Sequence, residues 1–266
     1  MKVPAIVGAA GLCLLALFLF ADGDAEPPAP PSPVPSGEGG DLLAALGEII
    51  PLPQVDLSPE PPVDPGEPRF TIVSVREGER LQLRATPGGG VIKTLDDRTE
   101  FGSVRSFWVA RVEDGWLGVP TAELPNDRLG WIRDDRRKLD LRQTNYWVLA
   151  DISERRLELR YGKRRLESFA VTVGAPGSPT PPGAYAITDG LAGKGVGPYY
   201  GCCILALNGH QSNLPPDWLG GDRIAIHGTP GEIGAAASAG CLRADDMDMV
   251  SLFARLPLGA PVFIRS

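Results

Sequence analysis

The stretch 226–248 reads IHGTPGEIGAAASAGCLRADDMD. It holds His227, one of two histidines in 266 residues, and, fourteen positions on, Cys241 directly after Gly240. The residues between them are mostly small or turn-forming and carry little side-chain chemistry. The apolar run Ile224-Ala225-Ile226 predicts a strand that ends at His227, so the imidazole projects from a fixed edge. On the other side of the cysteine, Asp245 is suited to cap a helix, acids crowd the first turn and Pro257 follows its end. Met249, Leu252, Phe253 and Leu256 form its apolar face. A thiol becomes a useful nucleophile only beside a base or a positive field, because the thiolate is the reactive form. His227 is the base within reach of the pattern, and the helix dipole following Cys241 favours a thiolate. Gly240 permits a tight turn whose N–H groups face an oxyanion. Together these features suit acyl transfer through a thioester.

The chain around this stretch is β-rich. YWVLADISERRLELRYGKRRLESFAVTVG, starting at Tyr146, predicts three strands that turn at Ser153-Glu154 and at Tyr161-Gly162-Lys163. GAYAITD is another strand. LAGKGVGPYYG, with four glycines in eleven residues, is a tightly turned loop. CCILAL and DRIAIHG are apolar strands, and APVFIRS closes the chain as a strand. Residues 144–266 contain eleven acidic and eleven basic residues, which excludes a basic nucleic-acid footprint.

Residues 69–140 form a second β-rich region. RLQLRATPGGGVIKTL, FWVARVEDGWLGVP and LGWIRDD are short runs split by turn signals at TPGGG and EDG. Five short strands are expected here, closing as a small barrel. LRATPGG, GWLGVP and GWIR resemble the Src-homology-type (SH3-like) barrels of bacterial cell-envelope proteins. That resemblance leaves open whether the barrel binds a ligand or only spaces the following domain.

Ahead of both lies a segment that predicts no fold. One lysine precedes an apolar run at 3–21, the pattern of an export signal, and the run is about long enough to span a bilayer if uncut. A removed signal peptide and a membrane anchor are both compatible with residues 1–21. Residues 22–68 hold thirteen prolines and ten acidic residues with no Lys or Arg, a composition that cannot bury enough apolar surface to fold and reads as an extended linker. DLLAALGEII at 41–50 reads as a short helical or partner-binding patch within it. The rest of the chain is expected outside the cytoplasm, in the cell envelope. Cysteines there usually pair, yet beyond Cys13 in the apolar run only Cys202, Cys203 and Cys241 remain, an odd number. Cys202 and Cys203 could form a strained ring disulfide, but adjacent Cα atoms, about 3.8 Å apart, are closer than the usual disulfide range, so the expected reading is two small buried residues of a strand. His210, in NGHQSN, reads as a surface residue of a polar loop between strands, with a substrate contact as the alternative. No spacing of Cys and His matches a metal finger or ribbon, and no cofactor motif is present.

HGTPGEIGAAASAGCLR resembles the signature of the L,D-transpeptidase (YkuD-type) catalytic family: His-Gly, a glycine-containing spacer, then Ser-x-Gly-Cys-hydrophobic-Arg. VTVGAPGSPTPPGAYAI, GPYYG and GAPVFI resemble three further pieces of that family, in the same order. The resemblance covers about residues 144–266. It implies a mostly β catalytic domain that joins peptidoglycan stem peptides, donor to acceptor, and that carbapenem-type β-lactams inhibit. By position it makes Cys241 the nucleophile, His227 the base and the Gly228 carbonyl the group that orients the imidazole. Gly240 and Cys241 would lend N–H groups to the oxyanion hole. Ser238 would hydrogen-bond around the turn, and Arg243 would anchor that turn or meet a substrate carboxylate; Tyr199 and Tyr200 fall in the substrate-binding loop. The sequence departs from the family at Ala239, where histidine is usual. The same fold would also serve an L,D-carboxypeptidase, and a degenerate version a non-catalytic wall-binding protein.

Overall fold

The computed structural model describes residues 64–266, apart from Asp217 and Leu219. The export signal or anchor, Cys13, the patch at 41–50 and nearly all of the acidic linker lie outside the described residues. Among the described residues the fold is mostly β, with a single α-helix, and no helix is long and apolar enough to cross a membrane.

The first region contains eight strands rather than five: β1 (Phe70–Val75), β2 (Leu81–Arg84), β3 (Val91–Leu95), β4 (Ser106–Trp108), β5 (Arg111–Glu113), β6 (Trp116–Pro120), β7 (Leu129–Arg133) and β8 (Leu139–Thr144). They form a five-stranded sheet, β3-β2-β7-β6-β5, and a three-stranded one, β4-β1-β8. Ile72 and Val73 are adjacent and both fully buried, so β1 lacks the alternation that marks a half-exposed strand. β8 is mostly polar and exposed; it is held by six antiparallel register pairs with β1. The hairpin between β5 and β6 is the expected Asp-Gly turn, with positive φ at both Asp114 and Gly115. Val73, Leu83, Leu95, Leu117, Val119 and Ile132 lie in the core of this region.

The second region supplies β9 (Tyr146–Asp151), β10 (Arg156–Tyr161), β11 (Arg164–Ala170), β12 (Val173–Gly174), β13 (Gly183–Ala192), β14 (Cys203–His210), β15 (Arg223–Gly228), β16 (Ala236–Ser238), β17 (Leu242–Ala244), α1 (Asp246–Arg255) and β18 (Pro261–Arg265). Eight of these strands form one sheet in the order β11-β10-β9-β18-β13-β14-β15-β17, and β12 pairs with β16. In β10, Leu157, Leu159 and Tyr161 are buried while the alternate residues are not, as a two-residue period demands. β14 lies between β13 and β15 and is buried over Cys203–Gly209, which fits its continuous apolar run. Asp245 caps α1 by accepting from Met247 N at 2.9 Å. The helix buries Met249, Val250 and Leu252 and packs across β14 and β15.

The two regions are packed together. Phe263 of β18 meets Phe70, Trp108 and Trp147 at ring-centroid distances of 6.2, 5.4 and 5.7 Å. Arg142 donates to the Leu258 carbonyl at 2.7 Å, and Arg223 pairs with Glu100 at 2.5 Å. Buried Asp189 accepts from the Thr99 hydroxyl.

Candidate active site

β15 and β17 run parallel, and their register sets Ile226 against Leu242 and His227 against Arg243. Leu242 and Ala244 are buried in the core. Arg243 therefore faces the other way, and the Cys241 sulfur, which meets the Ala225 N–H and the Arg243 charge, lies on that same side. The sheet thus brings His227, Cys241 and Arg243 to one edge. β16 and β17 are three residues each, too short to be marked by periodicity in a sequence.

His227 is only 4% exposed. Its Nδ1 lies 2.6 Å from the Gly228 carbonyl oxygen. A carbonyl only accepts, so Nδ1 carries the proton and Nε2 keeps a lone pair. Burial pushes the imidazole pKa down to about 4, partly opposed by the Gly228 carbonyl, with the Arg243 charge lowering it further. The ring is therefore neutral at ordinary pH. Burial likewise pushes the Cys241 thiol up; the Ala225 N–H at the sulfur and the Arg243 charge act in the opposite direction. Cys241 is a free thiol. Both shifts favour the neutral forms, a thiol and an imidazole.

The turn before Cys241 is built by Ser238 and Gly240. Ser238, 2% exposed, donates its hydroxyl to the Cys241 carbonyl at 2.6 Å and accepts from Gly240 N at 3.1 Å. This corrects the expectation for Gly240: its N–H is engaged inside the turn rather than turned outward to an oxyanion. Gly240 has φ +114°, and a Cβ there would collide with the Gln211 amide, so the position demands glycine. β16 is held from the side by Ala175, whose N–H donates to the Ser238 carbonyl at 2.8 Å. Ala239 is half-buried.

The glycine-rich loop of residues 193–201 folds as two short 3-10 turns, Gly193–Gly195 and Pro198–Tyr200. It lays Tyr200 against His227, with ring centroids 4.9 Å apart. Burial raises the Tyr200 pKa, and the neighbouring Cys241 raises it further while Arg243 lowers it, which keeps the phenol neutral. Tyr199 is 50% exposed. The loop is tied down by Asp246, which accepts from Cys202 N at 2.9 Å. A Cβ on either Gly201 or Gly228 would strike that carboxylate, so both glycines are required for the close approach. Beside it, a cleft of about 470 Å³ is lined by Lys194, Gly197, Pro198, Gly201, Pro230 and Asp246.

Two other readings need correction. Cys202 and Cys203 are bonded to each other as a vicinal disulfide. Inside a strand their side chains would point to opposite faces, but Cys202 sits in the bend just before β14 and is free of that constraint. His210 is not a loop residue: it is the last residue of β14, with Nδ1 2.9 Å from Asp222 Oδ2 and Nε2 2.9 Å from the Ala122 carbonyl. Sequence reasoning missed its neighbour Gln211, which is 5% exposed and contacts the nucleophile turn. Nothing in a polar NGHQSN string separates a buried amide from an exposed one. Among the described residues no group of three or more His, Cys, Asp or Glu could hold a metal ion.

Residues 145–264 match the YkuD family, described as the L,D-transpeptidase catalytic domain. A search of curated proteins found no match. Among solved structures, a cysteine-to-serine mutant of the Enterococcus faecium L,D-transpeptidase is 18% identical, over 46% of this chain and 50% of that one, with a TM-score of 0.35. An L,D-transpeptidase from Stackebrandtia nassauensis is 20% identical, over 46% and 56%, with a TM-score of 0.34. L,D-transpeptidase 3 from Mycobacterium tuberculosis, in complex with a faropenem-derived adduct, is 13% identical, over 52% and 73%, with a TM-score of 0.37. The chain spans about half the length of the first two.

Proposed function

Because residues 145–264 match the L,D-transpeptidase catalytic domain of the YkuD family, we propose that this protein is an extracytoplasmic cysteine transpeptidase that cross-links peptidoglycan stem peptides. The observation that carries the reading is the fixed tautomer of His227, with Nδ1–H held by Gly228 on the edge that also presents Cys241. The donor is a tetrapeptide stem. Cys241 Sγ attacks the carbonyl carbon between the diaminoacid and the terminal D-residue, and the thiol proton passes to His227 Nε2. Starting from a neutral pair, no buried charge has to be kept between turnovers, a costly state in a dry site. The tetrahedral intermediate collapses as the C–N bond breaks, and Nε2 returns the proton to the departing amine of D-alanine. An acceptor amine then attacks the thioester carbonyl, loses its proton to Nε2, and the C–S bond breaks to leave a thiolate that regains the proton. Water in place of the amine makes the protein an L,D-carboxypeptidase.

In this reading Arg243 supports the sulfur as it gains negative charge, and anchors the turn or meets a substrate carboxylate. Tyr200 covers the imidazole and Tyr199 offers an exposed ring to the peptide. The apolar run at 3–21 exports the chain or anchors it, and the acidic linker spaces the folded part from the membrane. The test is mass spectrometry of the folded region after exposure to a carbapenem. One acyl adduct on Cys241 is expected, absent in Cys241→Ser and retained in Cys202→Ser and Cys203→Ser. A label on Cys202 or Cys203 would refute the assignment.

A further inference from the structure

We infer that Gln211 is a positioning residue for the nucleophile turn, and that the first β region holds it in place through Asn126. The inference rests on the transpeptidase reading of Cys241. Gln211 follows β14 directly, and its buried Nε2 donates to the Pro179 carbonyl at 2.8 Å and the Ser178 carbonyl at 3.2 Å, and reaches the Ala239 carbonyl at 3.4 Å. Its Oε1 accepts from Asn213 N at 2.9 Å. The amide thus lies between the 178–179 segment and the Ala239-Gly240 peptide, packed against the face where Gly240 lacks a side chain. Gly240 immediately precedes the sulfur-bearing residue, so a shift of this amide shifts Cys241.

The backbone that carries Gln211 is clamped from the other side. Asn126 uses both ends of its amide on His210: Nδ2 donates to the His210 carbonyl at 2.7 Å, and Oδ1 accepts from His210 N at 2.8 Å. The His210 ring adds its contact to the Ala122 carbonyl, and Gln211 N donates to the Asp222 carbonyl at 2.7 Å. Neighbouring residues 210 and 211 therefore join the first region to the catalytic turn. None of these groups touches a reacting atom. Their effect is on aim, where a displacement of about 1 Å can cost roughly a hundredfold in rate.

The experiment compares the full folded protein with Gln211→Met, Asn126→Ala and the double variant. It reads the maximal rate of Cys241 acylation by a carbapenem, the half-saturating concentration, the rate of alkylation by iodoacetamide and the unfolding midpoint. Each single substitution should lower the maximal acylation rate about tenfold or more, with half-saturation and alkylation within about twofold of wild type. The double variant should be no slower than Gln211→Met, because Asn126 acts through Gln211. An unchanged rate in Asn126→Ala, losses that multiply in the double variant, or alkylation falling in step with acylation would overturn the relay. Should Gln211→Met fail to fold, Gln211→Glu decides: its protonated acid can donate to Pro179 and its carboxylate cannot. Its acylation rate relative to wild type should rise as pH falls from 8 to 5, and a flat ratio overturns the inference. If the wild-type chain is alkylated but never acylated, the transpeptidase reading fails first.

Discussion

Replacing His227 by glutamine should remove most of the acid sensitivity of folding between pH 6.5 and 4. The buried imidazole has its pKa lowered from 6.5 to about 4. In that window the unfolded chain binds a proton that the folded chain refuses, so stability falls as pH falls; above 6.5 both states are neutral and His227 contributes nothing. At about 1.4 kcal/mol per pKa unit, the loss is about 2 kcal/mol by pH 5 and about 3 kcal/mol at pH 4. Other groups act near the same range. Asp151 is held low by hydrogen bonds from the Glu154 N–H and Ser153; Glu158 is raised by burial but held low on balance by Arg160 and Arg165. They cost stability only as pH drops toward and below their ordinary values. Asp248, raised by burial and by the nearby Asp245 and Glu167, works in the opposite sense and favours the folded state as pH falls. All three are present in both proteins, so the difference between wild type and His227→Gln isolates the imidazole. The assay is urea unfolding of each at pH 7.5, 6, 5 and 4.5, comparing the free energies. The wild-type deficit relative to its own pH 7.5 value should exceed the variant's by about 2 kcal/mol at pH 5. A difference that stays flat across the series would show that His227 is solvated or already charged, and the neutral-pair mechanism would fall with it.

The same neutrality places the acid limb of Cys241 acylation near pH 4 rather than near 6.5; a pH–rate profile of carbapenem acylation reads this directly. Ala239→His should alter that profile by adding a titratable group next to the turn, while His227→Ala should cost roughly a hundredfold or more in either background; full activity in Ala239→His without His227 would refute the assignment of the base. Under non-reducing, denaturing conditions the segment 64–266 should take up one iodoacetamide label, at Cys241, and three after reduction, since Cys202 and Cys203 are bonded to each other. Phe263→Ala, which removes the ring shared by Phe70, Trp108 and Trp147, should destabilise the protein by about 2–4 kcal/mol, measured by urea midpoint.

Several elements follow local rules and can be read from residue types. The strand before His227, the turn around Gly240 and the Asp245-capped helix depend on neighbours in the chain, and their residue types announce them. So do the Asp114-Gly115 hairpin and the alternation of β10. The candidate pair Cys241 and His227 was legible because both residue types are scarce in this chain and each stands at the end of a predicted element. The remaining features arise from packing between distant parts of the chain. β16 and β17 are too short to carry a period; their register against β12 and β15 is what sets Arg243 beside His227. The tautomer of His227 depends on one carbonyl and its burial on the sheet around it. The Cys202–Cys203 bond depends on where β14 starts, to within one residue. His210 and Gln211 look alike in a polar string, yet one turns to Asn126 and Ala122 and the other to Ala239, because the two β regions meet across that strand end. Such contacts join residues some 30 to 90 positions apart, and no local preference encodes them.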